Sequence, residues 1–191
     1  MILLAALLLG LLAGWGWSLW RRRPYAAPEL KHVWLVPVAF LPQVLVAYVP
    51  AVAGVKTLSA ASAALPFSLL VFLVFVWLNR SLPGMPILMV GLVLNLLVIS
   101  ANGGWMPISP QTASHLPGGA EARELPAGTR FGEKDILLDT ASTRLEFLAD
   151  RFLLPAWLHY ATAFSAGDAF VAVGAFWLLA RQRAAPNTSM E

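Results

Sequence analysis

The sequence predicts an all-α integral membrane protein with about five transmembrane helices and a long extracytoplasmic segment. Three observations carry this prediction: 59% of the 191 residues are hydrophobic, only 12% are charged, and the apolar residues fall in long runs. Soluble domains carry roughly 25% charged residues, so these charges are too few to cover a whole protein surface. A bilayer is the natural solvent for apolar runs of this length.

The first helix is predicted over residues 2–20. No basic residue precedes this run, and three arginines follow it at 21–23. A signal peptide has the reverse charge order, so we expect a retained helix. Ala6, Gly10 and Gly14 recur every four residues and therefore share one face. A stripe of small residues lets a neighbouring helix approach closely.

Three further helices are predicted over residues 33–52, 60–78 and 86–101. Prolines interrupt the second helix, and membrane helices tolerate prolines where neighbouring groups satisfy the freed carbonyls. The Pro83-Gly84 pair predicts a type II turn and a tight helical hairpin, because proline presets φ and glycine accepts a positive φ. The sequence Asn102-Gly103-Gly104 predicts the end of the fourth helix.

Residues 102–155 form a long polar segment with no apolar run long enough to span a membrane. Its Glu and Asp residues predict a solvated face. Leu145, Leu148 and Phe152 recur at helical spacing near its end, with charged residues between them. This pattern predicts an amphipathic helix over residues 141–153 that lies on the membrane or caps the bundle.

The distribution of basic residues predicts a bacterial inner-membrane protein with its N-terminus outside and its C-terminus in the cytoplasm. In this orientation the short outer loop carries only Lys56, because the other basic residues near the helix ends lie inside. The inner basic residues are Arg21, Arg22, Arg23, Lys31, Arg80, Arg181 and Arg183. Tryptophans at the predicted inner ends agree with an interfacial aromatic belt. They are Trp20, Trp34, Trp77 and Trp177.

Two amides lie in the middle of predicted helices: Gln43 in the second and Asn95 in the fourth. An unpaired amide in hydrocarbon is costly, so we expect both to form hydrogen bonds across helices, one option being a bond to each other. They serve either as interhelical contacts or as the polar lining of a ligand pocket.

The last helix is predicted over residues 165–180, and Asp168 is the acidic residue within its apolar span. Ser165 and Asp168 have the spacing of an N-cap and an N3 residue, which predicts a capping box. The alternative is a site at the outer mouth of the bundle, where Asp168 faces the Asn102 turn. The full candidate polar site is Gln43, Asn95, Asn102, Gly103, Gly104 and Asp168.

The sequence offers no recognisable catalytic, metal or cofactor site. It has no cysteine, and its three histidines, His32, His115 and His159, lack metal-ligand spacing. It contains no glycine-rich phosphate loop and no nucleophile elbow. The net charge of +3 comes from basic residues at the ends of apolar runs, which is a topology signal and not a nucleic-acid footprint.

The stretch from Asn79 to about Ala180 resembles a family of small bacterial membrane proteins known only as a domain of unknown function. The resemblance implies an inner-membrane protein of this topology and implies no activity. The residues that carry it are Asn79-Arg80, Leu82-Pro83-Gly84-Met85, Gly91, Asn95, Asn102-Gly103-Gly104-Trp105-Met106-Pro107, Ser109-Pro110, Thr143-Arg144-Leu145, Phe147-Leu148-Ala149-Asp150 and Phe164-Ser165-Ala166-Gly167-Asp168.

Three functions follow as hypotheses. The first is a non-enzymatic accessory or assembly component that binds a protein partner, or a second copy of itself, in the membrane. The second is a transporter or a binder of a small solute or lipid, with the candidate polar site along its path. The third is a membrane enzyme that acts on a lipid at the outer surface, with Asp168, Asp150, His115 and His159 as its candidate residues.

Overall fold

Five long helices dominate the fold of the residues that the structure describes. The computed structural model describes residues 2–48, 58–132, 134–155 and 161–181. These helices begin and end within a few residues of the predicted bounds, except that residues 49–52, at the predicted end of the second helix, lie outside the described residues. Lys56, His159 and Arg183 lie outside the described residues. The helices are α1 (Ile2–Arg21), α2 (Leu35–Tyr48), α3 (Leu58–Leu78), α4 (Met85–Ala101) and α5 (Ala166–Ala180).

Only one of these helices is long and apolar enough to cross a membrane by length and composition, within the part of the chain that the structure describes. This helix is Ile2–Arg21. The other apolar helical stretches are shorter: Leu35–Val46, Ser62–Leu78, Met85–Ala101 and Ala166–Ala180.

The main helix contacts join the five helices in the spatial order α1–α5–α4–α3–α2. The first helix therefore packs against the last. Gly10 of α1 lies against Phe176 and Gly14 lies against Ala180, so α1 and α5 run parallel. In contrast, α4 runs antiparallel to α5, because Gly84 lies against Gly174 while Gly91 lies against Gly167.

Small residues set how closely these helices pack. Ala6, Gly10 and Gly14 are buried on the face of α1 that meets α5, as their spacing predicts. At the contact of α4 with α5, a Cβ atom added to Gly91 would lie 2.6 Å from the backbone nitrogen of Val171. Real Cβ atoms essentially never approach other atoms this closely, so the helices touch there through their backbones.

The hairpin between α3 and α4 has the predicted turn. Gly84 has a φ of +83°, and the amide of Met85 donates to the carbonyl of Leu82 at 3.3 Å. The buried Asn79 fixes this turn to the segment before α2. Its side chain accepts a hydrogen bond from the backbone amide of Lys31 at 2.7 Å and donates to the Lys31 carbonyl at 3.0 Å.

A small cap covers the ends of α4 and α5. It comprises residues 102–155 and 161–165, with the gaps in the described residues noted above. It contains a three-stranded sheet in the order β1–β3–β2, where β1 is Met106–Ile108, β2 is Arg130–Phe131 and β3 is Asp135–Leu137. A two-stranded sheet joins β4 (Phe152–Leu153) to β5 (Ala163–Phe164), and a one-turn helix occupies Pro110–Ala113. The all-α prediction omitted these short strands.

The predicted amphipathic helix over 141–153 is wrong. The segment contains only a 3₁₀ turn at Glu146–Leu148, which follows Leu145 in the left-handed region at φ +54°. Asp150 then pairs with Ile108 in a parallel β-bridge. Leu148 is nevertheless buried against Val98, so this segment caps the bundle as one alternative expected. Pairing with β1 satisfies the backbone here and outweighs the helical spacing of the apolar side chains.

We expect Gly91→Ala to destabilise the protein by about 1–3 kcal/mol, because the added methyl overpacks the contact with Val171. The matched control is Gly16→Ala on α1, since a Cβ atom at Gly16 would meet nothing within 4 Å. That change should be neutral or slightly stabilising. Unfolding in detergent solution, followed by tryptophan fluorescence, measures both. Equal effects of the two changes would contradict the backbone contact at Gly91.

Candidate functional site

A hydrogen-bonded set of three side chains joins α4 to the start of α5. The side-chain amide of Asn95 donates to Asp168 Oδ1 at 2.8 Å, and its oxygen accepts from the hydroxyl of Ser165 at 2.9 Å. Ser165 is the N-cap of α5, and its Oγ accepts from the backbone amide of Asp168 at 3.0 Å. The return bond from the Ser165 amide to Asp168 completes the capping box, which confirms that prediction.

Lys134 connects this set to the cap. Its ammonium lies 2.8 Å from Asp150 Oδ2 and 3.5 Å from Asp168 Oδ2. Lys134 comes immediately before β3, while Asp150 lies beside β1 and Asp168 lies in the first turn of α5. One cation therefore holds two parts of the cap to the end of a bundle helix. We call Asn95, Lys134, Asp150, Ser165 and Asp168 the junction cluster.

The junction cluster lies between buried and open surroundings. Asp150 is 1% exposed, whereas the side chain of Lys134 is 41% exposed and that of Asp168 is 28% exposed. Desolvation opposes the charged form of Lys134, but the carboxylates of Asp150, Asp168 and Asp135 outweigh it and raise the pKa of this lysine. Lys134 therefore remains a cation, and its role in the cluster is electrostatic.

Burial also acts on the carboxylates of the cap. It raises the pKa of Asp150 above the ordinary value, although Lys134 opposes the shift. It raises the pKa of Asp135 from 3.8 to about 7, with Lys134 lowering it and Asp150 and Asp168 adding to the rise. Oδ1 of Asp135 and Oδ1 of Asp150 are buried without a hydrogen-bond partner. Asp135 is thus ready to take up a proton near neutral pH.

The structure separates the remaining residues of the predicted polar site. No hydrogen bond joins Gln43 to Asn95. Asn95 instead forms hydrogen bonds to Ser165 and Asp168 at the start of α5. The side-chain amide of Asn102 donates to the backbone carbonyl of Arg144 at 2.8 Å and accepts from the Arg144 amide at 3.0 Å, so Asn102 holds the cap to the end of α4, while Asp168 bonds to Asn95. Asn102 is in the turn that ends α4, and Gly103 and Gly104 have φ values of +74° and +88°.

These two glycines have different surroundings. A Cβ atom at Gly103 would meet nothing within 4 Å, whereas one at Gly104 would collide with the backbone of Ser62 on α3. Gly104 therefore permits a close contact between the cap and α3. The Asn102-Gly103-Gly104 turn ends the helix as predicted and is an anchor for the cap, apart from the junction cluster.

The histidines that the structure describes are not part of the junction cluster. Nδ1 of His115 lies 2.8 Å from the carbonyl of Gln111 on the exposed surface. His159 falls outside the described residues. Among the residues that the structure describes, no group of three or more histidine, cysteine or acidic side chains is arranged to hold a metal ion. Asp150 and Asp168 do converge, because both contact Lys134.

The sequence prediction missed Lys134 and Asp135 and assigned the acidic residues of the long segment to a solvated face. Asp150 contradicts that assignment, since it is buried beneath Lys134. One signal was present in the sequence. Lys134 and Asp135 directly precede the apolar run Ile136 to Leu138, which places two charges at the beginning of a buried strand.

In the described part of the chain, these features define a class of protein: a bundle of five apolar helices with a small mixed cap fixed to its helix ends by a partly buried ionic cluster. The chain belongs to the family of unknown function DUF5317, whose profile matches residues 28–180. The expected resemblance to a family of unknown function is thereby confirmed.

The chain is also similar to an uncharacterized protein of Thermotoga maritima. The two are 32% identical over 109 residues, which is 56% of this chain and 56% of that protein. The match thus spans little more than half the length of the relative. No solved structure matches the chain.

We expect Asn95→Leu to destabilise the protein by about 1–3 kcal/mol, because it removes the hydrogen bonds that Asn95 forms with Ser165 and Asp168. Gln43→Leu is the matched control, since Gln43 is a half-buried amide without a hydrogen bond to this cluster. Its effect should be neutral or stabilising. Unfolding in mixed detergent micelles gives both values. A loss at Gln43 as large as that at Asn95 would contradict the assignment of Asn95 to the cluster.

We expect the stability of the protein to fall as the pH rises from about 4 to about 7, with a contribution from Asp135. The pKa of Asp135 in the folded protein, about 7, exceeds the ordinary 3.8, so folding disfavours its ionised form. Asp135→Asn should therefore stabilise the protein at pH 8 by on the order of 1 kcal/mol and have little effect near pH 4.

Melting temperatures of the variant and the wild type across this range measure the effect. Asp139→Asn, which replaces an exposed aspartate of the same cap, is the control and should leave the pH profile unchanged. Parallel profiles for Asp135→Asn and the wild type would show that Asp135 has no raised pKa.

Proposed function

We propose that this protein is a non-enzymatic integral component of the bacterial inner membrane and that its cap binds a protein partner on the outer side. The observation that carries the proposal is a group of exposed apolar side chains on a cap that is itself fixed to the helix ends. We call Leu145, Phe147, Phe152 and Leu153 the cap patch; all four are exposed, and Phe147 is 61% exposed.

The membrane location is supported by the surface of the helices. Each of the five helices exposes large apolar side chains, of which Leu8, Phe40, Phe67, Leu97 and Val173 are examples from α1 to α5 in turn. Soluble monomers rarely expose contiguous apolar patches above a few hundred Å². Because the helices pack in a row, such side chains lie along much of the surface of the helix bundle, and lipid is the medium that suits them.

The proposed orientation, with the cap outside, is supported by the opposite end of the bundle. Arg21 lies 4.9 Å from the ring centroid of Trp17, and Arg80 lies 4.6 Å from that of Trp77. Arginines near helix ends favour the cytoplasmic side of a bilayer, and tryptophans are enriched at its interfaces. The parallel direction of α1 and α5 agrees with five alternating spans.

The cap patch suits a protein partner because its first pair of residues, Leu145 and Phe147, is held to its second pair, Phe152 and Leu153. Leu145 and Phe147 flank Glu146, which pairs with Arg151 at 3.0 Å. Arg151 precedes Phe152, whose ring lies 5.5 Å from that of Phe164. An apolar patch on a fixed support loses little conformational entropy on binding, and aromatic residues are enriched in protein interfaces.

The junction cluster favours a structural role over catalysis. Asp150 and Asp168 meet the proximity that the enzyme hypothesis requires, since both contact Lys134. However, Lys134 is held as a cation and is a poor base, and the side chain of Asp150 is 1% exposed and already paired with Lys134. The side chains of the cluster bind one another, which is the arrangement of a support between the cap and the bundle.

We expect a photo-crosslinking amino acid at position 147 to give one discrete protein adduct in native membranes, because Phe147 is the most exposed residue of the cap patch. The control position is Glu121, an exposed residue elsewhere in the cap, and it should give no such adduct. Electrophoresis and mass spectrometry of the adducts identify the partner. Adducts with lipid alone at position 147 would overturn the proposed partner and assign the cap patch to the membrane surface.

A further inference from the structure

A pocket at the end of the bundle opposite the cap carries a second proposal, which rests on the proposed membrane location. The pocket has a volume of about 570 Å³ and lies where the α3–α4 hairpin meets the last turn of α5. Arg80, Ser81, Ile87, Trp177 and Arg181 are among its lining residues. None of them belongs to the junction cluster.

The two arginines make this pocket electropositive. Arg80 follows α3 and Arg181 follows α5, so the fold brings together two cations that are 101 positions apart in the sequence. In the described part of the chain, neither arginine forms an ion pair, because the ion pairs there involve Lys134 and Arg151. The N-terminus of α4 also borders the pocket and adds the positive end of a helix dipole.

The hairpin holds Arg80 in place before any ligand arrives. The residue before Arg80 is Asn79, which is fixed by its bonds to Lys31. The guanidinium of Arg80 donates to the carbonyl of Trp77 at 3.1 Å and lies over the Trp77 ring at 4.6 Å. A cation held in this way loses less side-chain freedom on binding an anion than a flexible surface arginine does.

Apart from Ser81, the side chains that line the rest of the pocket are apolar, which identifies the kind of anion. Ile87 and Trp177 share the pocket with the arginines, and Trp177 is also part of the exposed apolar surface of α5. An inorganic anion makes no use of such a wall. A phospholipid has a phosphate for the arginines and a glycerol backbone with acyl chains for the apolar side chains.

We propose that this pocket binds an anionic membrane phospholipid of the cytoplasmic leaflet, with its phosphate between Arg80 and Arg181 and its first methylene groups against Trp177 and Ile87. Arginine suits this role because its planar guanidinium offers several donors to phosphate oxygens. The bound lipid would tie the α3–α4 hairpin to the end of α5.

The test is a lipid titration of the full-length protein in neutral detergent, followed by native mass spectrometry. The probes are phosphatidylglycerol and phosphatidylcholine with the same acyl chains, and inorganic phosphate alone. We expect the wild type to prefer phosphatidylglycerol over phosphatidylcholine by about tenfold. We expect Arg80→Gln and Arg181→Gln each to lower that affinity about tenfold, since each removes charge-assisted hydrogen bonds.

Arg21→Gln is the matched control, because it removes the same charge at the same end of the bundle, outside the pocket. It should leave the preference for phosphatidylglycerol intact, and Arg181→Lys should retain part of it. Melting temperatures without added lipid identify any variant that fails to fold. If Arg181→Gln fails to fold, Arg181→Lys takes its place. A preference retained in Arg181→Lys indicates recognition by charge, and its loss indicates recognition by the geometry of the guanidinium.

Three results would overturn the proposal: equal affinity for the two lipids, an equal loss in Arg21→Gln, or full competition by inorganic phosphate at millimolar concentration. The first indicates binding that does not depend on the charge of the lipid, the second indicates a general charge effect, and the third indicates a site for a soluble anion. Alkaline extraction of native membranes tests the membrane location separately. A protein that stays in the membrane but shows no lipid preference keeps the proposed location and loses only the lipid site.

Discussion

The backbone contact between α4 and α5 is the constraint on which the rest of the structure depends. Gly91 and Gly167 lie against each other's helices, and a Cβ atom at Gly167 would collide with the side-chain oxygen of Asn95. The missing side chain at Gly167 therefore makes the room in which Asn95 reaches Ser165 and Asp168. Once Asp168 is fixed in this way, it presents its second oxygen to Lys134, and the cap has a defined position on the bundle.

The junction cluster shows how a polar contact is built at the end of an apolar bundle. A carboxylate in the first turn of a helix is stabilised by backbone amides and by the helix dipole, and here the same carboxylate also contacts an amide and an ammonium. The cluster is not fully satisfied, because one oxygen each of Asp135 and Asp150 remains unpartnered. A proton on Asp135 near neutral pH reduces the excess of negative charge around Lys134.

The sequence predicted the features that depend on local spacing. Residues four apart on α1, the Pro83-Gly84 turn and the Ser165–Asp168 capping box all follow from neighbours along one chain segment, and the structure confirms each of them. The junction cluster depends instead on residues far apart in the chain, such as Asn95 and Asp168, which lie 73 positions apart and whose pairing no local pattern encodes. The predicted helix over 141–153 failed for the same reason, since a partner strand decided its backbone conformation.

The pairing of α1 with α5 has a consequence for how the protein is made. Ribosomes release a chain from its N-terminus, so α1 emerges first while its main helix partner emerges more than 140 residues later. Until then the glycine face of α1 lacks the α5 backbone that covers it in the folded protein, whereas the bond from the Ser18 hydroxyl to the carbonyl of Trp15 lies within α1 itself. The contact between α1 and α5 can therefore form only after α5 has emerged, when α5 packs between α1 and α4.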